Sequence, residues 1–421
     1  MRRMAALSSA VTLACLTAAT GVGAGPSAAA LSLDGNGECT FPMKKQIKGT
    51  PWSLQRLVFD RLWEDTKGKE KNGESVRVAV IDTGVDDTNI QLKTAVDKAS
   101  GGNFLPPAKD ASKDERKLAE DPTVDEVGHG TKVAGIIAAR PRQGTGFVGL
   151  APEATIIPLK QNNAEGKGTP QKMAEAIKKA VHEGARVINI SQDTKGALSQ
   201  SDLEQATAYA VQHDVVVVAA AGNDGANGKS KRTYPASYRG VLAVAASDRN
   251  NERAYFSQSG DFVGVAAPGV DMVSTVPKGG QCVDNGTSFA APYVAGVAAL
   301  IRAKHPDWSR QEVIAQIEQT AERGVNGRDE FIGWGVVDPV KALTDDDKKI
   351  EHPTADTGSA ANVPKPEPGR LTLGETPQER RTRLATYALG MGAVVVGITA
   401  GGAVVLRDWR RRRDARGVGS A

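Results

Sequence analysis

The stretch NGTSFAAPYVAGVAAL (Asn285–Leu300) decides how the rest of the chain is read. A serine that attacks carbonyls must be accessible, with a backbone N–H aimed at the oxyanion that develops. A helix N-terminus supplies both. Ser288 follows the small, turn-compatible pair Gly286-Thr287 and precedes an apolar run of Phe289, Ala290, Ala291, Val294, Ala295, Val297, Ala298 and Leu300. The small residues predict a tightly packed helix, with Pro292 in its first turn, where a missing N–H costs little. The bland alternative is a buried helix with a serine N-cap. The choice depends on whether a base and its orienting acid occur elsewhere.

They occur in a definite order. In VAVIDTGVD (Val78–Asp86) a β-type run from Val76 to Ile81, broken by Arg77 and Ala79, ends in Asp82 and a Thr-Gly turn. That puts a carboxylate at the C-terminal edge of a parallel strand, where open α/β sheets place their sites. GHGTKVAGIIAA (Gly128–Ala139) sets His129 between two glycines at the start of a second helix-like segment. AAAGNDG (Ala219–Gly225) follows a strand predicted over Val215–Val218 and carries Asn223, an amide donor on a loop. Each alone has an ordinary reading: an aspartate capping a turn, a satisfied histidine, a turn asparagine. All four in the order Asp, His, Asn, Ser are a specific signal.

The quartet resembles that of subtilisin-like serine proteases, which share the chain order Asp, His, Ser. VGLAPEATIIPLK (Val148–Lys160), NAEGKGT (Asn163–Thr169), RVINIS (Arg186–Ser191), YPASY (Tyr234–Tyr238), VAAPGVDMVSTVP (Val265–Pro277) and GWGVVDPVKAL (Gly333–Leu343) extend the likeness over about Gly73 to Leu343. The resemblance implies an α/β, three-layer fold with a mainly parallel central sheet. It implies Ser288 as nucleophile, His129 as general base and then acid, and Asp82 as the group that fixes the imidazole. Asn223 and the Ser288 N–H would form the oxyanion hole. Gly166, Lys167 and Gly168 on one side, and Ser191, Gln192 and Asp193 on the other, would clamp an extended peptide by strand addition. Most of the family has a leucine-glycine pair after that serine, where this chain has Gln192-Asp193. Two readings stay open: a polar pair that narrows the pocket for the residue before the scissile bond, or an Asp193 that points into solvent. His182 and His213 are read as surface or helix-end residues.

Of 421 residues, 40% are hydrophobic and 24% charged, which fits one sizeable core plus appendages. A net charge of +4 spread along the chain gives no footprint for nucleic acid. Residues 1–30 read as a signal peptide: Arg2 and Arg3, an apolar stretch to about Thr20, and Ala28-Ala29-Ala30 as the cleavage site. With Cys15 removed, Cys39 and Cys282 remain, and in an oxidising compartment two cysteines predict one disulfide, the alternative being two free thiols. No metal-ligand spacing appears, so neither a catalytic metal nor a cofactor is expected.

Catalytic sequence at 73–344 gives way to a Pro-rich linker at 345–383. Leu384–Leu406 then runs 23 residues without a charge, long enough to cross a hydrocarbon core of roughly 30 Å. The tail 407–421 opens on an arginine cluster, so the positive-inside rule predicts one membrane pass, a cytoplasmic C-terminus and an extracytoplasmic protease. The N-terminal extension 31–72 contains PWSLQRLVFDRLWEDTKGKE (Pro51–Glu70), with Leu54, Leu57, Val58 and Leu62 at helical spacing. This order of segments resembles the mycosins, membrane-anchored subtilisin-like proteases of type VII secretion. The likeness implies an extension that wraps the catalytic domain, protein or peptide substrates, and contacts with secretion-system membrane subunits. A second function follows from it, a scaffold in which proteolysis is secondary. The polar insert at about 101–126 reads as a surface loop.

Overall fold

Strand β1 (Arg77–Asp82) is buried on both faces: Val78 and Val80 enter one apolar cluster, Ala79 and Ile81 another. Continuous apolar strands of this kind belong to parallel sheets covered on both sides. In the computed structural model, which describes residues 39, 41–43, 46–105, 120–162, 168–195, 202–228, 231–356, 375 and 377–417, β1 sits third in a seven-stranded sheet. From one edge the order is β2 (Gly102–Asn103), β3 (Thr155–Lys160), β1, β4 (Val187–Ile190), β6 (Val216–Ala220), β8 (Val241–Ser247) and β9 (Val263–Pro268), with every pairing parallel. Two short antiparallel pairs stand apart: β5 (Thr194–Lys195) with β7 (Thr233–Tyr234), and β10 (Met272–Thr275) with β11 (Gln281–Asp284).

Helices α3 (His129–Ala138) and α6 (Thr287–Lys304) cover one face of the sheet, while α4 (Pro170–His182) and α5 (Asp202–Gln212) cover the other. This is the three-layer arrangement expected. Residues 287–303 of α6 are all buried, and its alanines and Gly296 let it lie close against neighbours on every side. Because α6 begins at Thr287, Pro292 falls in the second turn rather than the first. The ring lacks the N–H that would bond the Ser288 carbonyl, so the helix gives up one internal bond near its start. His182 closes α4 and His213 follows α5, as read from sequence.

From β1 the chain crosses to β2 and then β3 on one side, and then to β4 on the other. β1 is therefore the topological switch point, and Asp82 is its last residue. In open α/β sheets the crevice outside such a point is where ligands bind. Part of the insert at 101–126 is structural: β2 is its beginning and forms the sheet edge. Its centre, 106–119, lies outside the described residues, as do residues 1–30, read as a signal peptide, and residues 357–374 of the stretch read as a linker.

The extension packs on the catalytic unit through α1 (Trp52–Gln55) and α2 (Phe59–Leu62). Leu54, Leu57 and Leu62 are buried, but Val58 is 57% exposed, since the chain breaks between two single-turn helices there. Trp52 Nε1 donates to the Val270 carbonyl at 2.9 Å and Trp63 Nε1 to that of Leu150 at 2.8 Å. Cys39 is joined to Cys282 by a disulfide, with Cα atoms 6.0 Å apart. A bridge closing so long a loop restricts the unfolded chain strongly. Cys39→Ser is expected to lower unfolding free energy by about 2–4 kcal/mol, measured by chemical denaturation of the full chain in detergent.

The linker begins later than its composition indicates. Asp346 accepts from Lys304 Nζ at 2.8 Å and contacts His305 Nε2 at 2.6 Å, and the Thr354 N–H donates to Gln319 Oε1 at 2.6 Å. Polar residues that look solvated in sequence are thus bound to the ends of α6 and of α7 (Arg310–Thr320). The first compact unit accordingly runs to residue 357. The second contains α9 (Pro377–Gly417), which follows the short α8 (Pro339–Thr344) in chain order. By length and composition α9 is able to cross a membrane, and its apolar side chains are exposed.

Candidate active site

Asp82 is fully buried and receives the Thr83 N–H on Oδ1 at 2.8 Å. His129 opens α3, and its Nδ1 lies 2.8 and 3.0 Å from the two Asp82 oxygens. An ionised carboxylate only accepts, so Nδ1 carries the proton and Nε2 is the free basic nitrogen. The approach is very close. A Cβ on Gly130 would lie 2.1 Å from the Gly84 carbonyl oxygen and 3.0 Å from Asp82 Cβ, so only glycine lets α3 reach the end of β1.

A second carboxylate holds this helix start in place. Asp125 accepts from Thr83 Oγ1 at 2.8 Å, from the Gly128 and Thr131 N–H groups at 2.7 and 2.8 Å, and from Thr131 Oγ1 at 2.6 Å. Thr83 Oγ1 in turn receives the Gly130 N–H at 2.9 Å. Free N–H groups at a helix N-terminus are satisfied this way. Burial pushes the Asp125 carboxyl up, against the pull of its donors. The residue lies in the charged insert, where its sequence context reads as solvated surface.

Ser288 is the second residue of α6 and is buried apart from a small exposed fraction. Gly286, before it, has φ +153°, in the range that favours glycine. A Cβ there would fall 2.8 Å from Ser288 Oγ and 3.5 Å from Asn223 Nδ2, so the hydroxyl and the amide donor flank one small space. Asn223 is oriented by Thr287, whose N–H and Oγ1 both donate to Asn223 Oδ1, at 2.9 and 3.0 Å. A backbone N–H can only donate, so the oxygen must face Thr287 and Nδ2 must face the space. The Ser288 N–H lies in the first turn, which has no intrahelical acceptor. Phe289, next in the chain, sets its ring 5.2 Å from the His129 ring, joining the Ser288 helix to the histidine's.

Burial disfavours a charged His129 ring, but the Asp82 charge and hydrogen bond outweigh it and hold the pKa above the ordinary 6.5. Lys132 opposes the rise and Asp125 adds to it. The imidazole side chain keeps 23% of its surface exposed, enough for access.

The segments read as substrate edges leave the two strands that flank β1. Gln161 and Asn162 follow β3, and Ser191 to Asp193 follow β4. Gln161 Nε2 donates to Gln192 Oε1, which links the two edges. Gly168 belongs to the first edge, where a Cβ would meet the side-chain oxygens of Gln161 and Asn162 at 2.2 and 2.3 Å; Gly166 and Lys167 lie outside the described residues. Asp193 Oδ2 lies 3.2 Å from where a Gly222 Cβ would be, so the carboxyl turns toward the Asn223 loop rather than away from it. Among the described residues no three His, Cys, Asp or Glu side chains converge as a metal site.

A switch-point crevice that gathers a serine at a helix start, a histidine backed by a carboxylate and an amide donor defines a subtilisin-type serine endopeptidase. Comparison with known proteins agrees. The Peptidase S8 model, described as the subtilase family, matches residues 73–335, and the chain belongs to that family. Subtilisin BL of Lederbergia lenta is 37% identical over 278 residues, covering 65% of this chain and 92% of its own. Among solved structures, MycP1 with the N-terminal propeptide removed aligns with TM-score 0.62 and 31% identity, over 72% of this chain and 99% of that one. The MycP3 protease from the type VII (ESX-3) secretion system aligns with TM-score 0.60 and 32% identity, over 71% and 90%. The protein is thus a subtilisin-like serine protease structurally close to the mycosins.

Proposed function

We propose that the chain is an exported, membrane-anchored endopeptidase that processes a few secreted proteins in association with type VII secretion. Ser288 Oγ attacks the substrate carbonyl while His129 Nε2 takes its proton. The tetrahedral oxyanion is held by Asn223 Nδ2 and the Ser288 N–H. Collapse breaks the C–N bond, with the amine leaving protonated by His129, and water then releases the acyl group by the reverse sequence. One observation carries the reading: the Asp82–His129 pair at the sheet's switch point, held against Phe289 at the start of the Ser288 helix.

Anchoring rests on α9, and the arginines after Leu406 support a cytoplasmic tail with the protease outside. The kinship with the MycP1 and MycP3 proteases supports the secretion context. It also leaves room for a scaffolding role beside proteolysis.

The test is labelling of the full chain, in detergent, with a fluorophosphonate serine probe beside a Ser288→Ala control. Labelling that depends on Ser288 is expected; a folded wild type that does not label would end the enzymatic reading. Secretion in cells carrying Ser288→Ala, against cells lacking the chain, then measures scaffolding. Asn223→Ala is expected to lower kcat by about 10²–10³-fold with little change in KM, read by peptide hydrolysis.

A further inference from the structure

Lys132 stands one turn along α3 from His129, with only 8% of its side chain exposed. Its Nζ donates to Asp284 Oδ2 at 2.5 Å and lies 5.4 Å from the centre of the Phe289 ring. That ring is the one that meets His129. Asp284 closes β11 four residues before Ser288, and Phe289 follows Ser288 directly. One cation on the histidine's helix therefore grips the serine's segment on both sides of the nucleophile.

The rest of the contact is built for stiffness. Ser274 Oγ donates to the Lys132 carbonyl at 2.5 Å and Thr275 Oγ1 to that of Thr131 at 2.9 Å. Both belong to β10, which pairs with β11, so α3 is pinned to the hairpin that carries Asp284. A buried lysine is a costly way to fill such a space. Desolvating the cation costs free energy that the pair only partly returns, and an apolar side chain would pack there more cheaply.

We infer that the Lys132–Asp284 pair is a positioning device: it sets how closely His129 approaches Ser288 and how readily the ring takes the serine proton. This rests on Ser288 and His129 being nucleophile and base. The charged groups facing His129 are Asp82 from β1, Asp125 from the loop before α3, and Lys132 from α3 itself. Asp284 of β11 acts through Lys132, and α6 presents Ser288 and Phe289. Lys132 is the cation in this set and works against the protonated ring.

The test compares Lys132→Met, Lys132→Arg and Asp284→Asn in the full chain. Rates are normalised to the fraction of molecules titrated by the fluorophosphonate, so misfolded protein drops out. Lys132→Met is expected to move the acid limb of kcat/KM to higher pH, because the cation that opposes the protonated ring from a helical turn away is gone. Asp284→Asn leaves the cation uncompensated and is expected to move the limb down. Loss of the grip is expected to lower kcat in Lys132→Met by about 10- to 100-fold with KM little changed. Lys132→Arg is expected to keep the limb in place and recover most of kcat. Limbs that coincide with wild type in both charge-removing variants, beside lowered melting temperatures, would reduce the pair to a structural ion pair and overturn the inference. Failure of the parent reading is distinguishable, because the wild type would then not titrate at all.

Discussion

Ser288→Ala is expected to lower kcat for peptide hydrolysis by about 10⁶-fold, as loss of the nucleophile does in subtilisin. The size follows from what remains. Without Oγ there is no acyl-enzyme, and His129 has no proton to take. Asn223 and the backbone N–H still face the carbonyl, however, so a residual acceleration of about 10³–10⁴ over water should persist. KM is expected to change little, because Ser288 adds almost nothing to binding along the edges at Gly168 and at 191–193. The fold should tolerate the change, since the helix is held by Thr287 on Asn223 and by the apolar side chains behind it. A variant that keeps a tenth of wild-type activity would mean that another group attacks the carbonyl.

Asp82→Asn is the second large effect, expected at about 10⁴-fold in kcat. Asparagine fits the same space, but its NH₂ can turn toward Nδ1 and favour the wrong tautomer. The pH profile separates this from simple damage. Activity needs neutral His129, so kcat/KM rises with pH as the ring loses its proton, with a midpoint above the ordinary 6.5. In the variant the raising influence of Asp82 is gone, while burial and Lys132 still press downward. The acid limb should therefore move to lower pH, even as the plateau falls. A plateau loss with the limb unmoved would falsify the electrostatic account of His129.

Much of this was legible in the chain. The β1 run and the helix-like segments after His129 and Ser288 announce parallel strands and buried helices, because burial on every side leaves no polar period to read. Asp82, His129, Asn223 and Ser288 stand out because each is a polar residue at the end of an apolar segment. Other parts were hidden, each for a physical reason. Asp125 looks like one more charge in a polar insert, and only the fold turns it into an acceptor for four donors on Thr83, Gly128 and Thr131. Lys132 carries no signal in the sequence, since nothing local says that Asp284 lies opposite. Residues 345–356 carry linker composition, yet their polar groups find partners on α6 and α7. Val58 keeps helical spacing with Leu54 and Leu62, but the spacing does not reveal a chain break.

The bridge between Cys39 and Cys282 makes most of the molecule a covalent ring. Every strand of the central sheet lies inside it, together with Asp82, His129 and Asn223, while Ser288 lies six residues beyond its closure. A single cut anywhere between those cysteines opens the ring without dividing the protein. A clip in the extension would leave its two pieces joined, with Trp52 and Leu54 still seated on the catalytic unit. Intact and nicked forms would then run together on a non-reducing gel and separate only once the bridge is reduced. No single cut after Cys39 therefore releases the extension: one peptide bond and the bridge must both be broken.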